Sequence, residues 1–191
     1  MTYMEKFFEL FKRDLKTERL ELRILEPTPE NAKLVWNAIK NENPEDFKYS
    51  IIMPKSEQGA LKTMQEQAGY CQDTGVCWYI FHDNKLIGFQ RIHYWENNKT
   101  LQFSEVWLVR SAWSKGFNKE IHDFIEKMAF QELHVHRATR QCMADNIRSK
   151  KSIEHSGYHL DGRMRHSTLM PDGTWMDHLN FTKLESEYEK E

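Results

Sequence analysis

Residues Val106 to Phe130 read "VWLVRSAWSKGFNKEIHDFIEKMAF", and the way this stretch divides decides the fold. An apolar run through Leu108 and Val109 breaks at a short loop holding a single glycine, Gly116. Beyond it Phe117, Ile121, Phe124, Ile125 and Met128 recur at spacings of four, three, one and three, which lines them along one helical face. The stretch is therefore a strand, a loop and a long helix. Two readings of the loop are open. It is a plain connection, or its backbone N–H groups face an anion at a helix N-terminus, where unpaired donors and about half a positive charge collect.

Upstream, "VCWYIFH" and "KLIGFQRIHYW" read as strands joined at Asp83 and Asn84, a hairpin-forming pair. With "TLQFSEVWLVR", which follows the turn residues Asn97 and Asn98, they make an antiparallel meander. Earlier still, "ERLELRIL" alternates in the manner of a strand, and "EPTPENAKLVWNAIKN" is a helix with Thr28 as its cap. "KSEQGALKTMQEQAGYCQ" resumes a helix. Downstream come a strand, "VHRATRQCMAD", a short helix, "NIRSKKSIEHSGY", stopped at Gly157, and a closing hairpin around "PDG". The first fifteen residues place Met4, Phe7, Phe8, Phe11 and Leu15 in one apolar stripe, expected to pack on the domain or on a neighbouring subunit.

The expectation is one α+β domain over residues 17–184, preceded by an amphipathic helix over 1–16 and followed by a charged tail over 185–191 without regular order. About seven strands form a mixed, mostly antiparallel sheet flanked by about four helices besides the N-terminal one. A chain of 191 residues suits a single domain. Its net charge of −2, with basic and acidic residues interspersed, leaves no footprint for nucleic acid. Three cysteines without metal-like spacing argue against a disulfide framework and for a reducing, cytoplasmic setting. His134 and His136 lack further ligands at a recognisable spacing, so no metal is expected. No run is long and apolar enough to span a membrane.

Several segments carry a resemblance. "TERLELRILEPTPENA", the Asn146, Ser149, Gly157, Tyr158 series, and the terminal Asp172, Gly173, Asp177, His178 pattern are similar to the GCN5-related N-acetyltransferase (GNAT) superfamily, in its RimJ/RimL-like branch of ribosomal-protein N-terminal acetyltransferases. The resemblance runs from about Thr17 to Leu184. It implies a sheet splayed between two strands, acetyl-coenzyme A held in the splay, and transfer of acetyl to a primary amine by direct attack. The acceptor it implies is a protein N-terminus. The alternatives are a small amine or amino sugar, or a coenzyme A-binding sensor that has lost catalysis, and a homodimer is one possible assembly.

The resemblance also assigns the loop. Family members carry Arg or Gln, two residues, Gly, one residue, then Gly or Ala before this helix, and those N–H groups hold the coenzyme A pyrophosphate. The matching residues here are Trp113, Ser114, Lys115, Gly116, Phe117 and Asn118. Gly116 is kept, whereas Trp113, Ser114 and Asn118 depart from the pattern. Asn118 puts a side chain where backbone should meet phosphate, which weakens binding or supplies a compensating amide. A backbone N–H of the preceding strand, at Leu108 or Val109, is implied as the donor to the thioester oxygen.

Chemistry at an amine calls for a base, since about pKa 8 for an α-amino group leaves part of it neutral near pH 7. Glu105 is the only acid in "LQFSEVWLV" and lies, by period two, on one face with Phe103 and Trp107. It is a desolvated base or an exposed strand acid. The resemblance implies that Ser149 protonates the departing thiolate and that Asn146 bonds the pantetheine arm; read from the residues alone, either caps the helix that follows Asn146.

Overall fold

The computed structural model describes residues 1–189. Its regular elements are α1 (Tyr3–Phe11), β1 (Leu15–Lys16), β2 (Glu21–Arg23), α2 (Pro29–Ile39), α3 (Glu57–Tyr70), β3 (Gly75–His82), β4 (Lys85–Trp95), β5 (Thr100–Leu108), α4 (Phe117–Met128), β6 (Arg137–Met143), α5 (Ile147–His155), β7 (His159–Leu169), β8 (Trp175–Leu184) and α6 (Glu185–Tyr188). One mixed sheet runs β1-β2-β3-β4-β5-β6-β8-β7. The eighth strand is the two-residue β1, too short to carry a sequence pattern. The sixth helix, α6, corrects the expectation of an unordered tail at residues 185–188; Lys190 and Glu191 lie outside the described residues.

Local chemistry explains most boundaries. Thr2 and Glu5 form a reciprocal capping box at α1, and Thr28 and Ser56 cap α2 and α3. Asp83 and Asn84 both adopt left-handed backbone, at φ 49° and 58°, as the tightest hairpin turn requires. In the last turn Asp172 accepts from the Thr174 N–H at 2.9 Å, and Gly173 sits at φ 87°. Asp177 accepts from the His166 N–H at 2.7 Å and from Arg163 Nε at 2.6 Å. These bonds hold an irregularity in β7 where pairing skips from Met164 to Thr168. The terminal pattern therefore does structural work in the hairpin.

Helices α1 and α4 cover one face of the sheet. Phe7 stacks on Tyr94 with ring centroids 5.4 Å apart, Phe11 meets Trp78 edge-on at 6.3 Å, and Phe103 meets His122 of α4 at 4.8 Å. Phe7 and Phe11 are fully buried, so α1 is part of the domain core. Leu15 leaves the helical stripe and enters β1. On the opposite face, under α2 and α3, Tyr79, Phe89, Trp107 and Phe47 form a continuous aromatic series.

Strands β5 and β6 are parallel and pair only from Thr100 with Arg137 to Phe103 with Arg140. Beyond Phe103, β6 continues along β8 while β5 continues along β4. The two strands thus part, leaving β5 from Ser104 onward with an open edge. At the same level the β4–β5 register jumps, with Arg91 opposite Glu105 but Ile92 opposite Phe103. Ser104 is the extra residue of a β-bulge. Because a bulge inverts the alternation, Glu105 shares its face with Trp107 but not with Phe103. The single-face expectation for all three is corrected by that one unpaired residue.

Candidate active site

Glu105 sits half-buried at the bulge, beside the open edge of β5. Its Oε1 accepts from the Ser50 hydroxyl at 2.9 Å. Arg91, its partner across the ladder, donates through Nε to Ser104 Oγ at 3.0 Å and through Nη1 to Gln67 of α3. Burial pushes the Glu105 carboxyl above the usual range, while Ser50 and Arg91 pull it back. A carboxyl raised in this way is a stronger base than an exposed one.

The open edge offers backbone donors. Val109 N–H is committed to Ile87 C=O at 2.9 Å. By the alternation of an antiparallel ladder, the Val106 and Leu108 N–H groups point away from β4 and toward the open side. Of the two donors the resemblance implied, Leu108 is the one facing the splay, and Val109 is spent within the fold. The Leu108 carbonyl accepts from the Trp113 indole N–H at 2.8 Å. Trp113 therefore anchors the loop. Its ring carries two cations, with Arg148 of α5 3.4 Å and Arg110 4.4 Å from the centroid.

In the loop itself Ser114, Lys115 and Gly116 are exposed. Ser114 lies at φ 59° and Gly116 at φ 79°, two left-handed residues that turn the chain into α4. No side chain caps this helix, so the N–H groups of its first turn remain available. Arg19, from the β1–β2 connection, donates to the Lys115 carbonyl at 3.0 Å and to Glu120 Oε2 at 2.6 Å. A Cβ at Gly116 would stand 3.5 Å from Arg19 Nη2. Phe117 is buried under Arg19 and beside His82. The Asn118 Oδ1 is buried and unbonded, an orphaned polar atom at the mouth of the helix. Sequence reasoning missed Arg19, since nothing local ties it to a loop nearly a hundred residues away.

On the other arm of the splay, Asn146 Oδ1 accepts from the Ser149 N–H at 3.1 Å and so caps α5. Burial pushes the Cys142 thiol upward, and the neighbouring Ser149 pulls it back. Tyr49, from the α2–α3 connection, donates to the Asp145 carbonyl at 3.0 Å. Tyr49–Asp145 and Trp113–Arg148 are thus two contacts that reach α5 and its leading turn from outside that arm.

A buried polar chain lies where the strands part. Gln90 Nε2 donates to the carbonyls of Arg91 and Glu105 at 2.9 and 3.3 Å, so its amide serves the bulge. Its Oε1 meets His122 Nε2 at 3.0 Å, and Arg140 Nη2 meets His122 Nδ1 at 2.7 Å. Since the guanidinium can only donate and the amide oxygen only accept, His122 is the neutral Nε2–H tautomer. Burial, then Arg140, holds its pKa well below the ordinary value. Glu126 follows, 3.2 Å from Lys183 and 2.8 Å from the Tyr158 hydroxyl. Neither His122 nor Arg140 stood out in the sequence, because a lone polar residue on an amphipathic face gives no signal of its own.

A polar cleft of about 370 Å³ lies beside Arg19, outside the splay. Its wall mixes Lys16 and Arg19 with Glu18, Glu21 and Asp83, a balance of charge that would not concentrate a dianion. Under α2 and α3, the space beside Trp107 amounts to about 10 Å³, no more than one water. Among the described residues, no three His, Cys, Asp or Glu groups cluster as they would around a metal ion. Among those residues, too, no helix is long and apolar enough to cross a membrane.

A family model described as the acetyltransferase (GNAT) domain matches residues 19–159. The chain belongs to this family. As a GNAT domain it is an acyltransferase, and its family activity is acetyl-coenzyme A-dependent acetylation. Solved structures share the fold at low identity. A GCN5-related N-acetyltransferase from Brucella melitensis superposes with a TM-score of 0.82 at 15% identity, over 93% of this chain and 80% of that one. A Vibrio cholerae protein described as a ribosomal-protein-serine acetyltransferase gives 0.73 at 17%, over 90% and 97%. The microcin C7 self-immunity acetyltransferase MccE, solved with acetyl-CoA and AMP, gives 0.72 at 18%, over 87% and 93%. At these identities the likeness establishes the fold alone. No curated protein matches the chain.

The acetyltransferase's own residues fit the family's acyl donor. An uncapped helix N-terminus faces outward, with unpaired first-turn N–H donors, and β5 keeps an unpaired edge.

Proposed function

We propose that this acetyltransferase acts on a protein N-terminal amine in the cytoplasm, with Glu105 as general base. The observation that carries the reading is Glu105 itself, a carboxyl raised by burial, fixed by Ser50, and set at the bulge where the open edge of β5 begins. The likeness to a ribosomal-protein-serine acetyltransferase supports the choice of acceptor.

The first-turn N–H groups of α4, with Ser114, Lys115, Gly116, Phe117 and Asn118, would hold the pyrophosphate. Trp113 replaces the family's Arg or Gln, and Arg148 and Arg110 on its ring return positive charge to the same neighbourhood. Bound acetyl-coenzyme A supplies a thioester carbonyl that an amine can attack. Glu105 takes the proton from the amine. The Leu108 N–H, which faces the open edge, would donate to the oxygen that gains charge, a contribution typically worth 10²–10³ in rate. Ser149 offers its hydroxyl proton to the leaving sulfur, and Asn146, as the cap of α5, fixes where that hydroxyl stands.

A second acceptor class, a small amine, would want an enclosed pocket. The test is thiol release from acetyl-coenzyme A with short peptides bearing a free α-amine, compared with the same peptides blocked at the N-terminus but carrying lysine, and with amino sugars. Turnover confined to free N-termini supports the reading. Turnover only with amino sugars overturns the acceptor, and saturable binding with no turnover on any amine overturns the catalytic reading in favour of a sensor.

A further inference from the structure

The extra residue at Ser104 interrupts the β4–β5 ladder, and carbonyls beside a bulge need donors from outside the regular pattern. Gln90 supplies them. Its Nε2 donates to the carbonyls of Arg91 and Glu105, at 2.9 and 3.3 Å, the two residues that face each other at the register jump. A primary amide keeps almost the same shape when turned half a circle about its last bond, and turned that way it would aim its oxygen at both carbonyls. Something must choose its orientation.

The choice begins at Arg140. Its guanidinium stays charged and can only donate, so Nη2, 2.7 Å from His122 Nδ1, obliges that nitrogen to accept. The imidazole proton then lies on Nε2, which faces Gln90 Oε1 at 3.0 Å. With the oxygen so engaged, the amide nitrogen is left to face the bulge. Gln90, His122 and Arg140 are 0%, 1% and 5% exposed, so a lost partner leaves a buried polar group unpaired.

The chain of bonds also crosses the seam. Arg140 stands on β6 opposite Phe103, the last residue of β5 that pairs with β6, whereas His122 stands on α4 and Gln90 on β4. An orientation set on one arm of the splay is thus delivered to the bulge on the other.

We propose that Arg140, His122 and Gln90 are positioning residues for acetyl transfer, a one-way hydrogen-bond chain that holds the bulge so that the Glu105 carboxylate stays on the Ser50 hydroxyl. The inference rests on Glu105 as the base. The three residues act on it through its main chain, while its carboxyl faces Ser50 and Arg91. A bulge that loosens gives up the Ser50 bond, which favours the ionised acid.

The wild type is tested first, by nitrogen NMR of the His122 imidazole. The Nε2–H tautomer near neutral pH is the expected result, and the Nδ1–H tautomer or an imidazolium overturns the proposal. Glu105 is then titrated by carbon NMR of its carboxyl in Gln90→Met, His122→Leu and His122→Gln. The first two break the chain and should titrate at higher pH than the wild type. His122→Gln should keep the wild-type midpoint, because its amide can accept from Arg140 and donate to Gln90. A midpoint unchanged in both breaking variants overturns the proposal. In those variants kcat should fall about tenfold or more with KM for acetyl-coenzyme A little changed, since a small misplacement of a reacting group can cost about 10²-fold. If Glu105→Gln lowers kcat and the breaking variants do not, the positioning role is overturned. If Glu105→Gln itself leaves kcat unchanged, the base assignment fails instead, and with it the role in transfer, while the carboxyl titration still decides whether the chain holds Glu105. Should one breaking variant fail to fold, the wild-type tautomer and the other variant decide.

Discussion

The hydroxyl of Ser50 donates to the carboxylate of Glu105 at 2.9 Å, a bond between residues 55 positions apart that joins the α2–α3 connection to the bulge of β5. It favours the ionised acid, against burial, which favours the protonated one. The base form therefore becomes available as pH rises through a value above the ordinary carboxylate range. Ser50→Ala removes a bond to the charged form and should move the acid limb of the kcat/KM profile to higher pH. Glu105→Gln should lower kcat by roughly 10²-fold or more and abolish that limb. A change under about twofold would remove Glu105 from the mechanism.

The same group sets a stability effect of opposite sense. A carboxyl whose folded pKa is raised favours folding while protonated, so the folded state loses stability as pH climbs from the unfolded value through the folded one. Glu105→Gln escapes that loss. Urea unfolding at pH 4 and pH 8 should show the variant gaining on the wild type at the higher pH.

Glu126 and Lys183 form a buried ion pair at 3.2 Å, each side chain 3% exposed. Lys183→Met should cost about 3–5 kcal/mol, because it strips Glu126 of its main compensating charge. Adding Glu126→Gln should recover much of that loss. Chemical denaturation of the two singles and the double measures the coupling, and additive losses would show that the pair acts as two separate groups.

Ser114 holds a left-handed backbone at φ 59°, which costs a non-glycine residue roughly 1–2 kcal/mol. Ser114→Gly relieves this strain but enlarges the unfolded ensemble by about 0.4–1 kcal/mol. The net expectation is a gain of up to about 1 kcal/mol, with unchanged or tighter acetyl-coenzyme A binding by calorimetry. A clear loss of affinity would show that the Ser114 hydroxyl itself contacts the ligand.

Phe11 is fully buried against Trp78. Phe11→Ala should cost about 3–5 kcal/mol, read as a fall in Tm. Light scattering on the same variant separates a core role from a subunit contact. Lost stability without a change in mass is the expected outcome.

Most of the fold was legible because its signals are local. The apolar spacing after Gly116, the Asp83–Asn84 turn and the Thr28 cap each act within a few residues, and the structure realises all three. Strand β1 and helix α6 were not legible, since elements of two and four residues carry no period. At the site, the bulge at Ser104 escaped because an extra residue in a ladder is visible only against its partner strand. That one insertion changed the neighbours assigned to Glu105. Arg19, Ser50 and Arg148 escaped for the related reason that each reaches the site from a distant segment.

The seam between β5 and β6 bears on how the chain assembles. Strands β2 to β5 join neighbour to neighbour, whereas the C-terminal three strands meet them only through the pairs from Thr100–Arg137 to Phe103–Arg140, after the whole of α4 has crossed over. Closing that long loop before any pairing repays it is the slow kind of step. The β3–β4–β5 meander is thus placed to form early and the seam to zip late, so in native-state hydrogen exchange the amides of β6 should open as a unit with those of β8 while β4 stays protected.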